Sequence, residues 1–182
     1  MISRFVPSRG LVLWNALIFR QEAKDGRIQP EGDDTSAVDA MIDFLYTHAY
    51  NNYTVTEGED TVINFDVKVF TTADKYLIEA LQAVAADKFL TKARAHWEGS
   101  DFIEAIIELY IHGSRRGSVL HKAALSVIVE HTRDFYGERE TYASFHSTLK
   151  DIPALARDVN AALAEHLMQL EQMQGFASER TG

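Results

Sequence analysis

The chain has 182 residues, 46% hydrophobic and 25% charged, with a net charge of -9 and no cysteine. That is enough for one domain with an extension, and the acidic balance, with no stripe of Lys and Arg, argues against nucleic acid and anionic membrane surfaces as partners. Disulfide scaffolds, thiolate-bound zinc and thiol nucleophiles are excluded, and no apolar run approaches the ~20 residues of a membrane span.

In chain order, residues 10–22 read as a helix with Leu13, Trp14, Leu17 and Ile18 on its apolar face. Arg4 and Arg9 ahead of the apolar run 11–19 give the outline of a signal peptide. Asn15 interrupts that run, however, and Arg20, Gln21 and Glu22 follow with no small-residue cleavage site. An intracellular chain, cytoplasmic or nuclear, is therefore expected. Asp25-Gly26 marks a turn, and Arg27-Ile28-Gln29 reads as a short strand. Asp34, Thr35 and Ser36 are N-cap types for a helix over 37–47 with Val38, Met41, Ile42 and Leu45 in a stripe. Residues 49–64 read as an exposed loop around Gly58, Glu57, Glu59 and Asp60, with Tyr53–Val55 or Val62-Ile63 able to make a brief strand.

Two tandem helices follow, joined at Tyr76. The first carries Val67, Phe70 and Ala73, the second Leu77, Leu81, Val84, Ala85, Phe89 and Ala93, at steps of three and four. Asp101 with Glu104 resembles a capping box opening a helix that buries Phe102, Ile106, Leu109 and Tyr110. Residues 113–118 are a breaker, and 120–135 a helix with Leu120, Ala124, Val127, Ile128 and His131 on one face. Residues 136–147 are weakly patterned. A last helix runs over 151–174, with Pro153 in its first turn and Gly175 at its end. Its stripe of Leu149, Ile152, Ala156, Val159, Leu163, His166, Leu170 and Met173 has heptad spacing. Leu155 and Leu167 widen that stripe, so packing back on the domain is expected over a coiled-coil seam.

Motifs that carry chemistry are sparse. No His pair shows the i, i+4 spacing of a helical zinc site, and His131 on an apolar stripe reads as a core histidine. There is no G-x-S-x-G elbow and no Gly-rich phosphate loop. Glu104 and Glu108 share a face, where solvation is expected over acid–base work. Arg115-Arg116-Gly117-Ser118 resembles a basophilic kinase site, with a helix-capping role for Ser118 preferred. Asn52-Tyr53-Thr54 is a glycosylation sequon in pattern, expected to stay unmodified in an intracellular chain. No catalytic residue, metal or cofactor is expected.

Ala73-Asp74-Lys75-Tyr76 at the tandem-helix junction resembles the A-D-K-Y signature of BTB/POZ domains. Val38 to Tyr46 resembles the helix preceding it, and Leu45-Tyr46-Thr47-His48 the family's L-Y-T-G-like turn. Ser8 to Ala16 looks like a worn S-x-x-F-x-x-A helix, so the resemblance spans residues 8–93. The family's opening strand–helix–strand is not found before Ser8, which implies an N-terminally truncated or degenerate version without the homodimer segments. The helices after residue 98 sit where fungal relatives carry an added helical pair. The resemblance implies an α+β, helix-dominated fold: a partial BTB/POZ-like cluster over 1–97 with one or two short strands, then a helical extension over 98–182. It implies a non-catalytic protein-interaction module, scaffold or adaptor, with Tyr50, Tyr53 and Phe65 as partner anchors, since aromatics dominate interfaces. A cullin-type ubiquitin-ligase scaffold is an unsupported partner: the bulky residue aligns with Phe65, but the acid falls at Asp66, with Val67 in the expected acidic place. The alternative is a small all-helical enzyme or ligand-binding domain, which needs a concave site with convergent polar groups.

Overall fold

The structure, a computed structural model, describes residues 34–51, 62–113 and 118–179. These residues form eight helices and no strand: α1 (Thr35–Thr47), α2 (Val62–Lys75), α3 (Glu79–Ala95), α4 (Ser100–Ile111), α5 (Val119–Glu130), α6 (Thr132–Gly137), α7 (Ala143–Asp151) and α8 (Pro153–Glu179).

Helix α2 is the centre of the packing, lying against α1, α3 and α4; α3 also packs on α5, and α5 on α8. Ile63, Val67, Phe70 and Ala73 recur at steps of three and four along α2 and are all buried. They meet Met41 and Phe44 of α1, Leu81 and Phe89 of α3, and Phe102, Ile106 and Leu109 of α4 in one apolar core. Fully burying one such large side chain contributes about 1.5–3 kcal/mol, so the core outweighs any single cap or ion pair. Helices before and after residue 97 share this core.

The helix ends have identifiable causes. Asp34 caps α1 by accepting from the Ala37 N–H at 3.0 Å, and also pairs with Lys68 at 3.0 Å. Ser118 caps α5, accepting from the His121 N–H and lying 2.8 Å from His121 Nδ1. Helix α4 starts at Ser100 with Gly99 as its cap and no side-chain capping bond, so the Asp101–Glu104 capping box is not formed. The helix expected over 120–135 breaks at His131: the Thr132 hydroxyl donates to the carbonyls of Ile128 and Val129, and His131 stacks on Trp97 with ring centroids 3.9 Å apart. His131 is therefore half-exposed and stacked rather than a core histidine. The weakly patterned 136–147 stretch contains the start of α7, held by Phe145 stacked on Phe135.

Two further expectations change. Val62-Ile63 opens helix α2 instead of forming a strand, because Ile63 belongs to the buried helical stripe. No strand occurs among the described residues; Arg27–Gln29, Tyr53–Val55 and the 10–22 helix lie outside them. The last helix, expected over 151–174, starts at Pro153, with Asp151 closing α7 instead, and runs past Gly175 to Glu179. Its first half packs back through buried Leu155 and Val159, while Leu167 and Met173 farther along are 61% and 63% exposed. Packing back on the domain thus describes the first half of α8 alone.

Candidate functional site: a buried Tyr–Asp–Lys cluster and two left-handed turns

The sequence places an aspartate inside an apolar run, Asn64-Phe65-Asp66-Val67. On α2 this turns Asp66 inward, where its side chain is fully buried. Tyr50, from the segment after α1, donates its hydroxyl to Asp66 Oδ1 at 2.8 Å. Lys92 of α3 brings Nζ to 2.6 Å from Oδ2, an ion pair inside the core. Lys88, one turn earlier on α3, donates to the Tyr50 carbonyl and lies 3.7 Å from the centroid of the Tyr50 ring, a cation–π contact. The spacing of Lys88 and Lys92 sets both ammonium groups on one face.

Burial dominates the electrostatics. It raises the Asp66 pKa above the ordinary aspartate value, against the opposing pull of Lys92, Tyr50 and Lys88. It lowers Lys88, with Asp66 acting in the opposite sense. It also pushes the Tyr50 phenol far up, reinforced by the neighbouring Asp66 charge. A phenol held protonated is a hydrogen-bond donor, not a nucleophile, so the arrangement acts as a clamp between three segments.

Two of the expected partner anchors are corrected by this packing. Tyr50 and Phe65 are each 1% exposed and lie in the core with ring centroids 6.2 Å apart. Burial withdraws both from any surface contact in this conformation. Tyr53 lies outside the described residues. The Phe65–Asp66–Val67 run aligned with the cullin-contact positions is buried throughout.

Exposed apolar side chains occur instead at several helix ends and along the outer half of α8. Leu77 is 62% exposed with φ of 57°, and His48 has φ of 58°. Each follows a stretch that the family resemblance singled out. At the end of α2 the Ile78 N–H reaches the Ala73 carbonyl at 2.9 Å and the Leu77 N–H the Asp74 carbonyl at 3.2 Å. This is a Schellman motif with Leu77 at the position where glycine is usual. Asp74 accepts from Gln82 at 3.3 Å, tying the turn to α3. At the end of α1 the His48 N–H bonds the Phe44 carbonyl at 2.8 Å, and Tyr46 beside it is 81% exposed.

Among the described residues, open clefts beside the core include two. One of about 270 Å³ is lined by Asp34, Lys68, Thr71, Thr72, Lys75, Glu108 and His112. The other, of about 290 Å³, lies between α5 and α8 and includes Lys122, Glu165 and His166. Neither contains Asp66, and both mix charges of opposite sign. Among the described residues no group of three or more His, Asp or Glu could hold a metal ion, and no helix is long and apolar enough to cross a membrane.

Sequence reasoning missed Asp66, Lys88 and Lys92. The available signal was a carboxylate flanked by apolar residues and two lysines four apart on an amphipathic helix. Leu77 had no such signal, because its left-handed backbone appears only in three dimensions. Comparison with family models finds no match for the chain, and comparison with curated proteins and with solved structures finds none either.

Proposed function

We propose that the chain is a non-catalytic protein-interaction module of BTB/POZ type that works by surface complementarity, in an intracellular setting. The observation that carries this reading is Leu77, a large apolar side chain held 62% exposed in a left-handed turn at φ of 57°. Left-handed backbone disfavours a non-glycine residue by about 1–2 kcal/mol, and exposure forgoes the burial of a leucine. An outlier unfavourable on both counts is a reason to look for a function there. The turn directly follows Ala73-Asp74-Lys75-Tyr76, the stretch that resembles the family signature. His48 supports the same reading, since it adopts φ of 58° where the L-Y-T-G-like turn carries glycine.

Leu77 and Tyr46 replace Tyr50 and Phe65 as the contact residues of this proposal. The expected experiment is affinity capture with wild-type chain and with Leu77→Gly and Tyr46→Ser chains as baits. A bound protein recovered by wild type and lost with Leu77→Gly supports the module. Equal recovery by all baits contradicts the assignment of Leu77.

The alternative, a small helical enzyme or ligand-binding domain, draws on one observation: the perturbed Asp66 carboxyl, since such groups cluster at functional sites. That carboxylate is enclosed by Tyr50 and Lys92, and neither described cleft reaches it. The clamp reading fits this enclosure better.

A further inference from the structure

We propose that two copies of this chain associate about a two-fold axis, the outer half of α8 from each copy lying in the groove between α5 and α8 of the other. The cleft between these helices has the form of a helix seat. Lys122, Leu125 and Val129 line it from α5, and Ala162, His166 and Gln169 from α8. Each set recurs at steps of three and four over seven residues, so the groove follows both helices for about two turns, roughly 10 Å. Leu125, Val129 and Ala162 are only partly buried and give it an apolar lining, while Lys122 is exposed.

The occupant is fixed by what stands beside the groove. Leu163, Leu167 and Leu170 each follow a groove residue by one position, which turns them about 100° around α8. They form a second stripe at i, i+4 and i+7, the anchor spacing of a helix laid in a groove. Leu167 and Leu170 are exposed, as is Met173 three residues on. Groove and stripe thus share one helix. A two-fold operation that sets one copy's stripe in the other's groove makes the reverse contact at the same time. A partner of another sequence would fill one of these features and leave the other uncovered. Charge points the same way. From Val159 to Glu179 the helix carries Glu165, Glu171 and Glu179 and neither Lys nor Arg, so the Lys122 ammonium of the groove meets an acidic helix. Glu165 also lines the groove, but it is exposed and can turn to solvent. Three large apolar side chains from each copy fall short of the roughly 800 Å² per partner of a standard interface. The dimer is therefore of the weak, concentration-dependent kind, with a dissociation constant of about 10–100 µM.

Sedimentation equilibrium of the full chain over about 1–1000 µM brackets that range and tests the proposal. The wild-type mass is expected to rise from one chain, 20.5 kDa, to two and no further. Leu167→Asp should stay monomeric at every concentration with the wild-type circular dichroism, because the side chain it changes is exposed in the single chain. Should Leu167→Asp misfold, Met173→Asp, at an equally exposed position, carries the same decision. Lys122→Glu should weaken association at least tenfold. A wild-type chain that stays monomeric throughout overturns the proposal, whatever other protein the groove then takes. Masses beyond two chains overturn the closed two-fold arrangement, and so does a Leu167→Asp chain that still pairs. A Lys122→Glu chain that pairs as tightly as wild type shows α8 meeting α8 without the groove, and overturns the docking. Leu77 sits in the turn between α2 and α3, and Leu77→Gly is expected to dimerise as wild type does. Loss of the dimer in that variant overturns the assignment to α8. None of these readouts involves a foreign partner, so they stand apart from the interaction-module reading.

Discussion

Leu77 and Gly113 show opposite relations between a residue and its backbone. Leu77 holds a left-handed conformation with an ordinary side chain, so replacing it by glycine relieves strain. We expect Leu77→Gly to raise stability by up to about 1 kcal/mol, read as a higher denaturant midpoint at unchanged slope. Gly113 is the converse: a Cβ there would lie 2.1 Å from the Leu109 carbonyl oxygen, inside any real contact distance. Gly113→Ala must shift the end of α4, and we expect a loss of about 1–3 kcal/mol by the same measurement. At Asp66 the relevant variable is pH. Burial raises its folded pKa, so between the ordinary aspartate value and the raised one the folded chain binds a proton that the unfolded chain does not. Its contribution to stability therefore grows as pH falls through the folded pKa and is lost as pH rises. Asp66→Asn removes that dependence, and urea midpoints of the two proteins from mildly acidic to neutral pH should differ in slope. Parallel curves contradict the burial argument.

At the scale of elements, periodicity was informative wherever a helix had a single buried face. The stripes on α1 to α5 follow from spacing in the main, but Leu77, expected on the α3 stripe, precedes that helix and is exposed, and Phe44 rather than Leu45 is buried on α1. Asp34 and Ser118 are cap types placed directly before apolar runs. Spacing failed where side chains compete for the backbone, as Thr132 does at the break between α5 and α6. It also failed at α7, a nine-residue helix held by aromatic contacts between Phe135, Tyr142 and Phe145 that no local pattern encodes. The long helix α8 combines both cases. Leu155 and Val159 are buried in the core, whereas Leu167, Met168 and Met173 project from it. We expect Leu155→Ala to destabilise the fold by about 2–5 kcal/mol, the usual range for a cavity in a well-packed core. Removing the chain from residue 167 onward should leave the denaturant midpoint nearly unchanged. A large loss on truncation would show that the outer half of α8 is packed after all.

For the whole molecule, composition excluded more than it identified. The absence of cysteine and the charge of -9 removed several chemistries from consideration, and the described structure then presented one helical core with a charged cluster inside it. That helices dominate was legible because apolar stripes decide helix packing, whereas the α+β class expected rested on short strands, none of which occurs among the described residues. The site was less legible because the clamp joins residues 50, 66, 88 and 92, a constellation that arises only when three elements meet. Two of the residues expected as partner anchors, Tyr50 and Phe65, prove to be buried.

The proposed interaction module stands most directly on Leu77, and a paired measurement on Leu77→Gly tests it. Thermal stability and affinity capture are recorded for the wild-type chain and the variant under the same conditions. The account predicts that the variant melts higher and yet loses at least tenfold of a protein that wild type holds in near-stoichiometric amount. A variant that retains that protein in full, or a wild-type chain that holds none, would contradict it.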